Sequence, residues 1–96
     1  MKVKLQDKEY EVHDSFRAKI LYEIGLDKMN EEGIKSQLYS TFLYYFSMFS
    51  ACNRDFKLSI DDLIAEFDKQ PNLFKVVADE IESFKSKMEE HPSKKN

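Results

Sequence analysis

The side chains that could do chemistry in this chain are few: one cysteine, two histidines and some acidic pairs. A hydrolytic nucleophile needs a base within hydrogen-bond reach. Cys52 stands in an uncharged aromatic stretch, His13 ends the N-terminal segment and His91 stands near the C-terminus. No cysteine and histidine are neighbours in sequence, and a meeting of Cys52 with His13 in the fold is left open. Around Cys52, the residues Met48, Phe49 and Phe56 offer no cation to stabilise a thiolate, and Arg54 and Asp55 offset each other. That setting reads as a structural thiol. One cysteine and two distant histidines give no paired ligand spacing for zinc. Asp27 to Gly33 is acidic enough to suggest a calcium loop, but Gly33 is seventh where the pattern needs a sixth-position glycine, and the alternation of ligands fails. Asp61-Asp62 and Glu89-Glu90 fall on terminal or solvent-facing helix positions, where solvation and the helix dipole account for them. Gly25 and Gly33 alone cannot build a phosphate-binding loop. The expectation is a protein with no catalytic residue, no metal site and no cofactor, which is not an enzyme.

The elements that would carry function are therefore surfaces. The chain has 96 residues, 42% of them hydrophobic, with 8 Phe and 5 Tyr, so it can fill one small core. Only 2 Gly and 2 Pro occur, too few turn residues for an all-β protein of this length. The net charge of -3, with both signs spread along the chain, excludes the concentrated positive charge on which nucleic-acid binding depends. The lone cysteine forms no internal disulfide and no apolar run follows a basic start, so a cytosolic protein is expected.

Apolar residues alternate at Met1, Val3 and Leu5 and again at Tyr10 and Val12, across the polar turn Gln6-Asp7-Lys8, the mark of a half-buried hairpin over residues 1–12. Asp14 or Ser15 can cap a helix over 14–24 whose apolar positions are Phe16, Ile20, Leu21 and Ile24, with Gly25 as its stop. Residues 26–33 then read as a polar connection. A helix over 34–53 follows, in which Ser36 to Asn53 carry no charge and six aromatics. Its seven Ser, Thr, Gln and Asn residues favour burial in protein over insertion in lipid. Ser59 caps a helix over 59–69 with Asp61 and Asp62 in its first turn, and Pro71 opens an amphipathic helix over 71–90 along Leu73, Val77, Ile81, Phe84 and Met88. A disordered tail is expected at 91–96. The fold class is α+β, mainly α: one domain over 1–90, a short N-terminal hairpin followed by about four helices in a small bundle.

An uncharged aromatic helix gives so short a chain more apolar surface than a single small core conveniently hides. Leu38, Tyr39, Phe42, Tyr45, Phe46 and Phe49 are thus the candidate residues for protein binding or self-association, with core alone as the alternative. The apolar face of the hairpin, Val3, Leu5, Tyr10 and Val12, is a second candidate interface, because a two-stranded sheet leaves its edges unpaired. A homo-oligomer is expected.

The succession "VKLQDKEYEV", "DSFRAKILYEI", an apolar middle helix and "LSIDDLIAEFDKQPNLFKVVADEI" resembles the tail assembly chaperones of long-tailed bacteriophages and prophages. Members commonly begin with a hairpin around a "GKEY"-like turn, where Asp7 here replaces the glycine, and end with an acidic-capped helix, a proline and a last amphipathic helix. The resemblance covers nearly the whole chain and lies in the order and spacing of its parts. It implies binding to the long, aggregation-prone tape measure protein, keeping it soluble while tail-tube subunits assemble round it. It also implies action in the cytoplasm of the bacterial host, absence from the mature virion, and no catalytic role to transfer. A small regulatory binding module, antitoxin- or inhibitor-like with one defined protein target, is the competing expectation.

Overall fold

A computed structural model describes residues 1–89; the tail expected at 91–96, and His91 with it, lies outside them. A β-hairpin, β1 (Lys2–Leu5) and β2 (Lys8–Glu11), is followed by α1 (Phe16–Glu31), α2 (Gln37–Cys52), α3 (Ile60–Lys69) and α4 (Leu73–Glu89). This is the α+β, mainly helical architecture that the sequence implies. The strands are antiparallel with Val3 opposite Tyr10 and Leu5 opposite Lys8, so the turn is the two residues Gln6 and Asp7 alone. Both take positive φ, 51° and 66°, the left-handed pair that lets a two-residue turn follow the twist of the strands.

The hairpin lies on the helices through its alternating face. Val3, Leu5, Tyr10 and Val12 join Phe42, Tyr45, Met48 and Phe49 of α2, Leu63 and Phe67 of α3 and Val77 of α4 in one buried cluster. The rings interlock edge to face: Phe42 meets Phe67 at 5.4 Å and Phe74 at 5.5 Å, and Tyr10 meets Phe56 at 5.1 Å. Polar side chains fasten the periphery. Asn53 donates to the carbonyls of Glu11 and Phe49, both at 2.8 Å, and accepts the Glu11 N–H, closing the outer edge of β2 onto the end of α2. The buried Glu66 carboxylate accepts the Gln6 N–H at 3.2 Å, tying the turn to α3.

Each of the first three helices starts at a serine. Ser15, Ser36 and Ser59 accept from Ala18, Tyr39 and Asp62 N–H, and at α3 the Asp62 carboxylate also accepts the Ser59 N–H, completing a capping box. The expected end of α1 at Gly25 is corrected. The helix continues through the supposed connection to Glu31, and its stop is Gly33, at φ 76°, with the Ile34 N–H returning to the Met29 carbonyl. Gly25 has another use. A Cβ there would stand 2.9 Å from Leu43 Cδ1, so the missing side chain lets α1 lie close on α2.

Candidate functional site

The residues singled out for chemistry are not brought together as a reacting group. Cys52 does approach His13, but Sγ faces the backbone carbonyl at 3.6 Å, while His13 Nδ1 lies 3.2 Å from the Asp14 carbonyl. Burial pushes the Cys52 thiol above its ordinary value, the reverse of what a nucleophile at neutral pH needs. Asp62 is engaged in the α3 capping box, and Asp61 lies exposed beside it in the first turn. Among the described residues no group of three or more His, Cys, Asp or Glu side chains is placed to hold a metal ion, and no helix is long and apolar enough to cross a membrane.

The candidate interface residues divide between core and surface. Phe42, Tyr45 and Phe49 are buried in the core of the single chain, Tyr39 and Phe46 are half-buried, and of the six aromatic-helix candidates only Leu38 is exposed. Val3, Leu5, Tyr10 and Val12 are all buried against the helices. The burial has one physical cause: α2 is the element on which the hairpin, α3 and α4 all pack, so much of its apolar face lies inside the chain. What it leaves at the surface is Leu38 in its N-terminal turn and the half-buried Tyr39, Leu43 and Phe46.

The large apolar side chains that remain outside belong mainly to α1. Phe16, Ile20 and Ile24 are 66%, 57% and 57% exposed and follow one another at intervals of four, so they form one row along the outer face of the helix. Phe84 of α4 meets Phe16 edge to face at 5.6 Å and widens the row at its N-terminal end. The sequence identifies these residues as the apolar positions of the helix but not as an interface, because periodicity reports that a stripe exists and not which way it points.

A buried polar cluster sets that direction. The Asp14 carboxylate accepts the Ser15 N–H at 2.9 Å, the Tyr44 hydroxyl at 2.9 Å and Lys19 Nζ at 3.2 Å, and Lys19 also lies 2.6 Å from the Tyr44 oxygen. Burial opposes the charge on Lys19, but the hydrogen bonds to Tyr44 and Asp14 outweigh it and hold its pKa above the ordinary value. Burial likewise raises Tyr44. The ammonium also sits 5.4 Å from the centre of the Phe84 ring. With Lys19 turned inward to α2 and α4, and with Ala18 buried, the row Phe16–Ile20–Ile24 is turned outward.

An apolar groove of about 370 Å³ opens on the other side of α1, lined by Gly25, Met29, Ile34, Leu43, Phe46 and Ile60. Its volume is within the range of binding clefts for small ligands or anchoring side chains. Leu38 borders a second, shallower hollow with Phe42, Phe67, Pro71 and Phe74. Comparison with family models, with curated proteins and with solved structures finds no match to this chain.

Proposed function

We propose that this chain is a non-enzymatic tail assembly chaperone of a long-tailed bacteriophage or prophage, which holds the tape measure protein soluble by covering its apolar helices. The observation that carries this reading is the exposed row Phe16–Ile20–Ile24 on α1, three large apolar side chains at the spacing that meets a partner helix. A helix lying along such a row shields its own apolar face from water and from other copies of itself, which is what a long helical client needs before the tail tube closes round it. The order of hairpin, capped helices and proline-led last helix, similar to that of the chaperone family, supports the same reading. Several copies side by side, as a homo-oligomer, would cover a client much longer than one α1.

Co-expression with the tape measure protein tests it. The wild-type chain is expected to move the client into the soluble fraction, and Ile20→Glu is expected to abolish this while its own thermal midpoint stays within a few degrees of wild type, since the side chain is exposed. A client that stays insoluble with the wild-type chain, or one solubilised equally well by Ile20→Glu, overturns the proposal.

A further inference from the structure

The apolar row of α1 has a charged neighbour. Glu23, Asp27 and Glu31 also recur at intervals of four, and Glu23 and Asp27 each stand three residues after a member of the apolar row, Ile20 and Ile24. Residues three and four apart are neighbours on a helix surface, so the two rows run side by side. All three carboxylates are exposed, and none takes part in an ion pair among the described residues. Lys19 heads the same row, but its charge is engaged by Asp14 at 3.2 Å. Arg17 lies on the far side of the apolar row, and Lys28 continues it beyond Ile24; neither forms an ion pair with the acidic row among the described residues.

We infer that the outer face of α1 docks a basic amphipathic helix, whose apolar row lies on Phe16, Ile20 and Ile24 and whose adjoining row of lysines or arginines faces Glu23, Asp27 and Glu31. The apolar row supplies contact area, and the acidic row decides which apolar helices are accepted and along which side they lie. Like charges set against one another exclude an acidic helix of equal hydrophobicity. The same rule keeps copies of this chain from pairing along α1 through their acidic rows, so the face stays available. This inference rests on the reading of α1 as the client-binding face and names the chemistry of the client segment.

The test uses dye-labelled synthetic helices and the whole protein. One peptide of about five helical turns carries leucines in one row and lysines in the next; two others carry glutamine or glutamate in place of lysine. Binding is followed by fluorescence anisotropy at about 0.1 M salt, where charges are felt over about 10 Å. The lysine peptide is expected to bind about tenfold more tightly than the glutamine peptide, and the glutamate peptide more weakly still. Glu23→Gln/Asp27→Asn/Glu31→Gln should erase the difference between lysine and glutamine peptides. The same charge change elsewhere, Glu9→Gln/Asp61→Asn/Asp68→Asn, should preserve it. Ile20→Glu should remove binding of all three. Glu23→Lys/Asp27→Lys/Glu31→Lys should reverse the preference toward the glutamate peptide, a gain that unfolding cannot imitate.

Equal binding of the lysine and glutamine peptides overturns the inference, as does equal loss of discrimination in the two charge-neutralised proteins. The client reading fails separately. If the tape measure protein stays insoluble while the peptides are discriminated as expected, the docking rule stands and the client is another basic helix. If the tape measure protein is solubilised through Ile20 but the peptides are not discriminated, the charge rule alone is lost.

Discussion

Helices α1 and α2 have the same length, 16 residues each, and lie against one another, yet they spend their apolar residues in opposite ways. In α2 the five buried residues are Phe42, Tyr45, Ser47, Met48 and Phe49. In α1 only Ala18 and Met29 are buried, while Phe16, Ile20 and Ile24 face outward. The richer helix is thus the interior, and the poorer one offers the surface. Hydrophobic density marks the element about which the others pack; an interface is marked by apolar side chains left over after that packing, which only the tertiary arrangement reveals.

The largest effect expected from this contrast is in stability. Phe49 is fully buried, stacked on Phe56 at 5.5 Å and edge-on to Tyr10 at 6.4 Å. Phe49→Ala should cost about 3 to 5 kcal/mol, a large part of what a domain of this size has in total. Ile24→Ala, an apolar truncation on α1, should change stability by about 0.5 kcal/mol or less. Urea titration of both variants measures the difference, and similar losses would mean that α1's row is covered within the folded chain after all.

That division explains what was legible in the sequence and what was not. The hairpin was legible because a period of two is strict, and the starts of α1 and α3 because each opens on a serine with the capping side chain in reach; the start of α2, expected at 34, lies at Gln37 behind the Ser36 cap. The end of α1 was not: Gly25 reads as the stop, because a glycine used for close packing looks in sequence like a glycine used for positive φ. Only Gly33 has the backbone that requires it. The exposed apolar row of α1 was hidden for a similar reason. Phe16, Ile20 and Ile24 have the spacing of a core stripe, and their outward direction depends on the long-range contact of Lys19 and Asp14 with Tyr44, thirty residues from Asp14 in sequence. The carboxylate of Asp14 reads as a helix cap in sequence; in the fold it is the fixing point between the two helices.

Removing that fixing point gives the next largest effect. Asp14→Ala leaves the Tyr44 hydroxyl and the Ser15 N–H without their acceptor and should cost about 2 kcal/mol, at the modest end for a buried charge because Lys19 is one-third exposed and can turn to water. The loss should fall on the α1–α2 contact, seen as hydrogen exchange rising first in α1. The same cluster predicts a pH dependence. Tyr44 and Lys19 both have folded pKa values raised above their ordinary 10.0 and 10.5, so the folded chain holds these protons more tightly than the unfolded chain does. Their contribution is complete below about pH 10 and is lost as pH climbs through the raised values. Tyr44→Phe should make the fall in thermal midpoint above pH 10 shallower; an unchanged slope would place the alkaline loss elsewhere, for instance at Tyr45, which burial also raises.

The smallest effect concerns the point where the two helices come closest. Gly25 lies inside α1, where alanine is favoured over glycine by about 1 kcal/mol. Against that gain, the new Cβ would stand 2.9 Å from Leu43 Cδ1 and 3.2 Å from Cδ2, so the leucine must give way. Those atoms are the far end of a flexible, half-buried side chain that lines the open groove, and a rotamer shift there costs about 0.5 to 1.5 kcal/mol. The two terms nearly cancel, and Gly25→Ala should leave the urea midpoint almost unchanged. A double-mutant cycle separates them. In a Leu43→Ala background the obstacle is gone, and Gly25→Ala should then stabilise by close to the full helix-propensity gain of about 1 kcal/mol. If Gly25→Ala is instead strongly destabilising in both backgrounds, the obstacle is backbone and not Leu43, and α1 and α2 are locked together more rigidly than a seam with an open groove beside it allows.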